Sequence, residues 1–186
     1  MLRFVAVLMV CLPALAQNAP EVEQQVSSGL QSPLPQEPQW WRGLGAPGRK
    51  ALIEQVRKPG SIQMKARAVE ALRSFDDAEA REVLKQQAMS AQNPVVRRTA
   101  ARSFILAQGL KDKSFVERLL HDRDPNLRFR SAQALHALGT PEALKKVDEF
   151  MAQEEVPWVV QKLHALRREN VAEARRAKPA GMDPRQ

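Results

Sequence analysis

Asp124–Met151 reads DPNLRFRSAQALHALGTPEALKKVDEFM, and the stretch holds two helical patterns separated by a stop. Asp124 is a good N-cap, and Pro125 suits the first helical position, where a backbone N–H would have no partner. Leu127, Ala132, Leu135 and Leu138 then form one apolar stripe. Gly139 supplies a left-handed C-cap, and Thr140-Pro141 restarts a second helix carrying Leu144, Val147 and Phe150. The stretch is therefore a hairpin of two short antiparallel helices.

The same unit recurs along the chain. Val69 and Leu72, Ala101 and Phe104, Ala132 and Leu135, then Leu163 and Leu166 fall at equivalent places, 31 or 32 residues apart. A fixed period of this size marks a solenoid. Asn93-Pro94 and Asp124-Pro125 are both cap-plus-proline pairs, and each is followed three residues after the proline by an arginine, Arg97 or Arg128. Over residues 60–169 this pattern resembles the short HEAT-like repeats of the bilin-lyase type. The resemblance implies an all-α, right-handed α-solenoid of antiparallel helix pairs. It also implies that Arg97 and Arg128 pair with an acidic residue of a neighbouring turn, Asp122 or Asp124, and so tie adjacent repeats together. Ankyrin repeats need a Leu-His after the second-helix proline and a β-turn finger, neither of which fits here. Tetratricopeptide repeats want a tyrosine, and the chain has none.

Residues 1–16 read as a secretion signal: Arg3, an apolar core from Phe4 to Leu12, and the Ala14-Leu15-Ala16 cleavage pattern. An uncleaved anchor and a lipoprotein attached at Cys11 are the alternatives. Cleavage after Ala16 removes Cys11, the only cysteine, so the mature chain is expected to lack disulfides and thiolate metal sites. The expected location is outside the cytoplasm, periplasmic or secreted. Residues 17–46 are rich in Gln, Pro, Ser and Gly and are read as a linker. Within it, Trp40-Trp41 either caps the apolar end of the first repeat or docks a partner. The solenoid is placed at 47–171, with helices at about 61–74, 79–89, 94–108, 114–121, 125–138, 141–152 and 157–169. Asp76 with Glu79 and Ser114 with Glu117 fit capping boxes. Residues 172–186 are read as a basic, disordered tail.

The chemistry of catalysis is not visible. His121, His136 and His164 are not spaced as ligands on one helix face, and no Gly-rich phosphate loop or Gly-x-Ser-x-Gly elbow occurs. The expectation is a protein that is not an enzyme, with no catalytic residue, cofactor or metal. Lys and Arg number 29 against 21 Asp and Glu, so an anionic partner is favoured by long-range steering. Export argues against nucleic acid and leaves an anionic envelope surface open.

A solenoid exposes more surface than a compact domain of equal mass. The expected function is accordingly an exported, non-catalytic scaffold holding a protein partner on a concave face lined by the second helices. The surface residues expected there are Glu82, Lys85, Gln86, Glu117, Arg118, His121, Lys145, Asp148 and Glu149. The alternatives are an accessory or inhibitory subunit of an envelope enzyme complex, a bilin-lyase-like protein and an anionic-polymer binder.

Overall fold

The structure, a computed structural model, describes residues 19–177. The signal segment 1–16 and residues 178–186 of the basic tail lie outside the described residues. Ten helices and no strands are found among those described: α1 (Ala19–Gln31), α2 (Pro38–Gly43), α3 (Gly45–Arg57), α4 (Ile62–Leu72), α5 (Ala78–Ser90), α6 (Pro94–Gln108), α7 (Lys113–Leu120), α8 (Pro125–Leu138), α9 (Pro141–Gln153) and α10 (Pro157–Ala177). The chain is an all-helical, HEAT-like stack of hairpins in two layers. First helices α4, α6, α8 and α10 form one layer, each lying against the next, and α5, α7 and α9 pack behind them.

Local chemistry sets the helix ends. Asn93, Asp124 and Thr140 accept from the amides of Val95, Asn126 and Ala143 at 2.9, 3.0 and 3.3 Å. Gly139 stops α8 with φ 66°, a left-handed conformation that glycine adopts without cost. Two capping expectations shift. Asp77 rather than Asp76 caps α5, and Asp112 rather than Ser114 caps α7, accepting from Phe115 at 3.0 Å. Asp76 instead accepts from Gln108 Nε2 at 3.2 Å.

One continuous core runs through the stack. Phe104 of α6 and Phe115 of α7 are fully buried and meet edge to face, with centroids 4.7 Å apart. Leu72, Ala101, Leu127, Leu135 and Leu163 extend the core along the first helices. Each fully buried Leu contributes roughly 1.5–3 kcal/mol by leaving water.

The linker reading of residues 17–46 is corrected. Residues 19–31 form α1, which packs on α3 and α4, and Pro38–Gly43 form α2. Average composition concealed the spacing of Val22, Val26 and Leu30, which places all three on one buried face. Gly29 lies on the same face, and a Cβ there would sit 2.8 Å from the Trp40 ring and 3.0 Å from that of Trp41. The tryptophans divide their work: Trp41 is buried at 5% exposure, while Trp40 stays 37% exposed and meets Trp41 edge to face at 4.8 Å. At the other end α10 continues to Ala177, so residues 172–177 of the expected tail are helical.

Arginines staple the hairpins together. Arg97 donates to Asp122 Oδ1 at 2.8 Å, and that same oxygen accepts from the Asp124 amide at 2.8 Å. Arg98 holds Asp124 through two bonds of 2.7 and 3.2 Å. Arg128 departs from the expected partner. It donates to the Asp122 backbone oxygen at 2.9 Å and grips Glu154 with two bonds of 2.7 Å. Glu154 is the next-repeat counterpart of Asp122, since its Oε1 accepts from the Val156 amide at 2.9 Å in the same two-residue pattern. The change from Asp to Glu hid this equivalence.

Glu154 is 2% exposed and Arg128 16%. Removing one partner of such a pair leaves the other charge buried and alone. Arg128→Met is expected to lose about 3 kcal/mol in urea unfolding, and Arg128→Met with Glu154→Met to recover most of it. In the same assay Trp41→Ala should cost about 3 kcal/mol, and Trp40→Ala much less. Equal losses would mean that both rings belong to the core.

Candidate protein-binding face

The residues expected to bind a partner from the second helices are largely occupied with one another. Lys85 of α5 forms a short ion pair with Asp112 at the start of α7, and its ammonium lies 5.7 and 5.4 Å from the Phe104 and Phe115 ring centres. Lys146 of α9 reaches Glu117 of α7 at 2.6 Å and Glu149 at 3.2 Å. These carboxylates, Glu117 foremost, raise the Lys146 pKa. Lys113 and Glu142 pair at 2.8 Å, Lys145 and Glu149 at 3.9 Å, and Arg167 and Asp148 at 3.1 Å. Arg118 lies over the Phe115 ring at 5.3 Å. His121 is 3.0 Å from the Glu117 carbonyl oxygen and 3.6 Å from its carboxylate. Of the expected set, Glu82, Gln86 and Arg118 are exposed without an ion pair or side-chain hydrogen bond among the described residues. This face is a lattice of struts between hairpins.

The first helices α4, α6, α8 and α10 pack against one another along the stack, whereas α5, α7 and α9 pack mainly on the first helices and less on each other.

The first-helix surface carries a groove with roughly 770 Å³ of open space across α4, α6 and α8, lined by Glu70, Val95, Arg98, Thr99, Arg102, Asn126 and Arg130. The helical repeat places Thr99 and Arg130 in one row and Glu70, Arg102 and Gln133 in another, at steps of 31 or 32 residues. Arg102 meets Glu70 at 3.2 Å, both side chains being more than a third exposed. Arg130 donates to Gln133 at 2.9 Å and lies 6.0 Å from the Phe129 ring centre. Lys162 stands over both Phe129 and Trp158, at 5.4 and 5.3 Å. Among the described residues neither Arg130 nor Lys162 has a carboxylate partner. Sequence reasoning grouped these cations only as a general basic excess. The register of Arg102 and Arg130 with the repeat was the signal that could have placed them on one face.

A second opening adjoins the groove. A cleft with roughly 530 Å³ of open space lies between the Ser32–Pro38 strap and α4, with Leu30, Pro35, Pro38, Trp41 and Ala71 among its walls. Arg67 fixes the strap by donating to the backbone oxygens of Leu30 and Ser32, both at 2.7 Å. Glu70 lines both the cleft and the groove. Among the described residues no group of three or more His, Cys, Asp or Glu is placed to hold a metal ion, and no helix is long and apolar enough to cross a membrane.

The struts should respond to acid. The Lys85 ammonium, the Phe115 amide and the Ser114 hydroxyl push the Asp112 carboxyl from 3.8 down to about 2. A depressed carboxyl contributes stability that is complete above its unfolded pKa and is lost as pH falls through its folded one. The stability difference between the parent and Asp112→Asn, which keeps the helix cap, should therefore be full above about pH 5 and shrink toward about pH 2. A difference constant over that range in urea titrations would exclude the Lys85 pairing as its source.

No family model and no curated protein matches this chain by sequence. Among solved structures it is similar to the complex of CpcE and CpcF of phycocyanin lyase from Nostoc sp., at 16% identity and a TM-score of 0.49, with 80% of this chain and 96% of that chain covered. The matched structure is that of a lyase, so the expectation that this chain is not an enzyme does not stand and is carried no further. At that identity and TM-score the likeness assigns no reaction, substrate or residue role.

Proposed function

We propose that this chain is an exported helical-repeat scaffold that holds a protein partner on its first-helix face. The observation that carries the reading is the contrast between the two layers. Charges on the second helices are spent on ion pairs that join α5 to α7 and α7 to α9. On the first helices, Arg130 lines an open groove and Lys162 stands over the Phe129 and Trp158 rings, neither with a carboxylate partner among the described residues. Rings and aliphatic side chains accompany them, with Phe129 and Trp158 at one end and exposed Val95 in the middle. Arginine and aromatic residues are enriched where protein interfaces hold their binding energy. A standard interface takes ~800 Å² per partner, a size that several stacked hairpins can supply.

Export rests on the sequence, through Arg3, the apolar run to Leu12 and the Ala14-Leu15-Ala16 pattern. Expression of the full chain in a Gram-negative host, followed by fractionation and N-terminal sequencing, tests it. A mature protein beginning at Gln17 outside the cytoplasm is expected, and an intact Met1 in the cytosol would refute export.

The binding reading is tested by affinity capture from envelope extract with the mature chain, Arg102→Glu/Arg130→Glu and Arg118→Glu/Lys145→Glu. A protein held by the parent should be lost by the first variant and kept by the second. Loss only with the second would return the site to the second helices.

A further inference from the structure

The groove and the cleft share Glu70, and this continuity defines what the first-helix face can take. We infer that the partner presents an extended acidic segment with one apolar anchor residue. Its carboxylates lie on Arg102 and Arg130, and its anchor enters the cleft beside Trp41. The inference rests on the binding reading above and specifies its ligand.

Charge complementarity supports the first part. Arg98 is held by two bonds to Asp124 and is already satisfied. Arg102 is held only by a single 3.2 Å contact to a partly exposed Glu70, a pairing worth little in water. Arg130 has a neutral amide and a ring face. Guanidinium groups bind carboxylates through two parallel bonds, which neither arginine makes among the described residues. An incoming carboxylate therefore exchanges a weak internal contact at Arg102 for a better one, and fills an open position at Arg130.

Dimensions support an extended segment. Three neighbouring first helices at the usual 8–10 Å spacing span roughly 20 Å, which about six residues of extended chain would cross. Thr99 and Asn126, which also line the groove, offer hydrogen-bonding side chains along that path. The cleft suits the anchor. Leu30, Pro35, Pro38, Trp41 and Ala71 give it apolar walls of a size for one side chain rather than a larger ligand. Glu70 occupies the junction, where it acts as an internal competitor for Arg102 and repels a second carboxylate.

The competitor gives the test. Fluorescein-labelled ten-residue peptides are titrated into the mature chain by anisotropy, one rich in Glu with a single Leu, one with that Leu replaced by Ser, and one with every Glu replaced by Gln. The acidic Leu peptide should bind saturably, with the Ser and Gln forms each about tenfold weaker. Arg130→Gln should weaken the acidic Leu peptide about tenfold, while Glu70→Gln should tighten it severalfold. Tryptophan emission should shift with the Leu peptide and less with the Ser peptide.

Weaker binding by Glu70→Gln, or equal binding of the Leu and Ser forms, would overturn the inference. So would equal Arg130-dependent binding to phosphatidylglycerol vesicles, which would make the face a general anion surface. If no peptide binds while Arg102→Glu/Arg130→Glu still loses a captured protein, the first-helix face remains the interface but takes a folded surface, and this inference alone fails.

Discussion

A helical hairpin of this chain has apolar residues facing both of its neighbours and cannot bury them by itself. Everything else in the structure follows from the need to stack. Leu127, Ala132 and Leu135 of α8 meet α6 on one side and α10 on the other, and all three are fully buried. The arginine staples then fix how one hairpin sits on the next. Arg97 and Arg128 hold the turns that open the following first helices, at Asp122 and Glu154. These contacts contribute less by their charge than by allowing only one register, because the desolvated carboxylates have no alternative donors of comparable quality.

Stacking leaves two ends exposed, and the chain closes the N-terminal one with its own preceding segment. Helix α1 lays Val22, Val26 and Leu30 on α3 and α4, and Trp40 and Trp41 together fill the space that Gly29 leaves open. The same closure makes the cleft, since the strap between α1 and α2 forms one wall of it and α4 the other. A device that stabilises the end of a repeat array thus shapes a recess beside its first-helix groove.

The two layers use their charges differently. On the second helices, opposite charges alternate from one hairpin to the next and neutralise each other. On the first helices Arg102 of α6 reaches Glu70 of α4, while Arg130 of α8 has no carboxylate partner among the described residues. Mixed signs at neighbouring repeats are the condition for internal pairing, which is why Lys85, Glu117, Asp148 and Glu149 are tied to other side chains of the chain.

Most helix limits were legible from caps, prolines and glycines, since those signals act within a few residues. The period was legible because each hairpin must present the same apolar positions to its neighbours. Arg97's link to the Asp122–Asp124 turn followed from the repeat, but Arg128's link to Glu154 did not, because the acid had changed length. The order in residues 19–43 was masked by proline- and glutamine-rich composition, although Val22, Val26 and Leu30 held the spacing of a buried face. The sequence by itself determined that this chain is a stack of helical hairpins with a basic surplus, because local capping and repeated burial are written in residue order. Only the tertiary structure decided which charges are paired and where the groove and the cleft open, because those depend on distances between residues 25 to 37 positions apart in the chain.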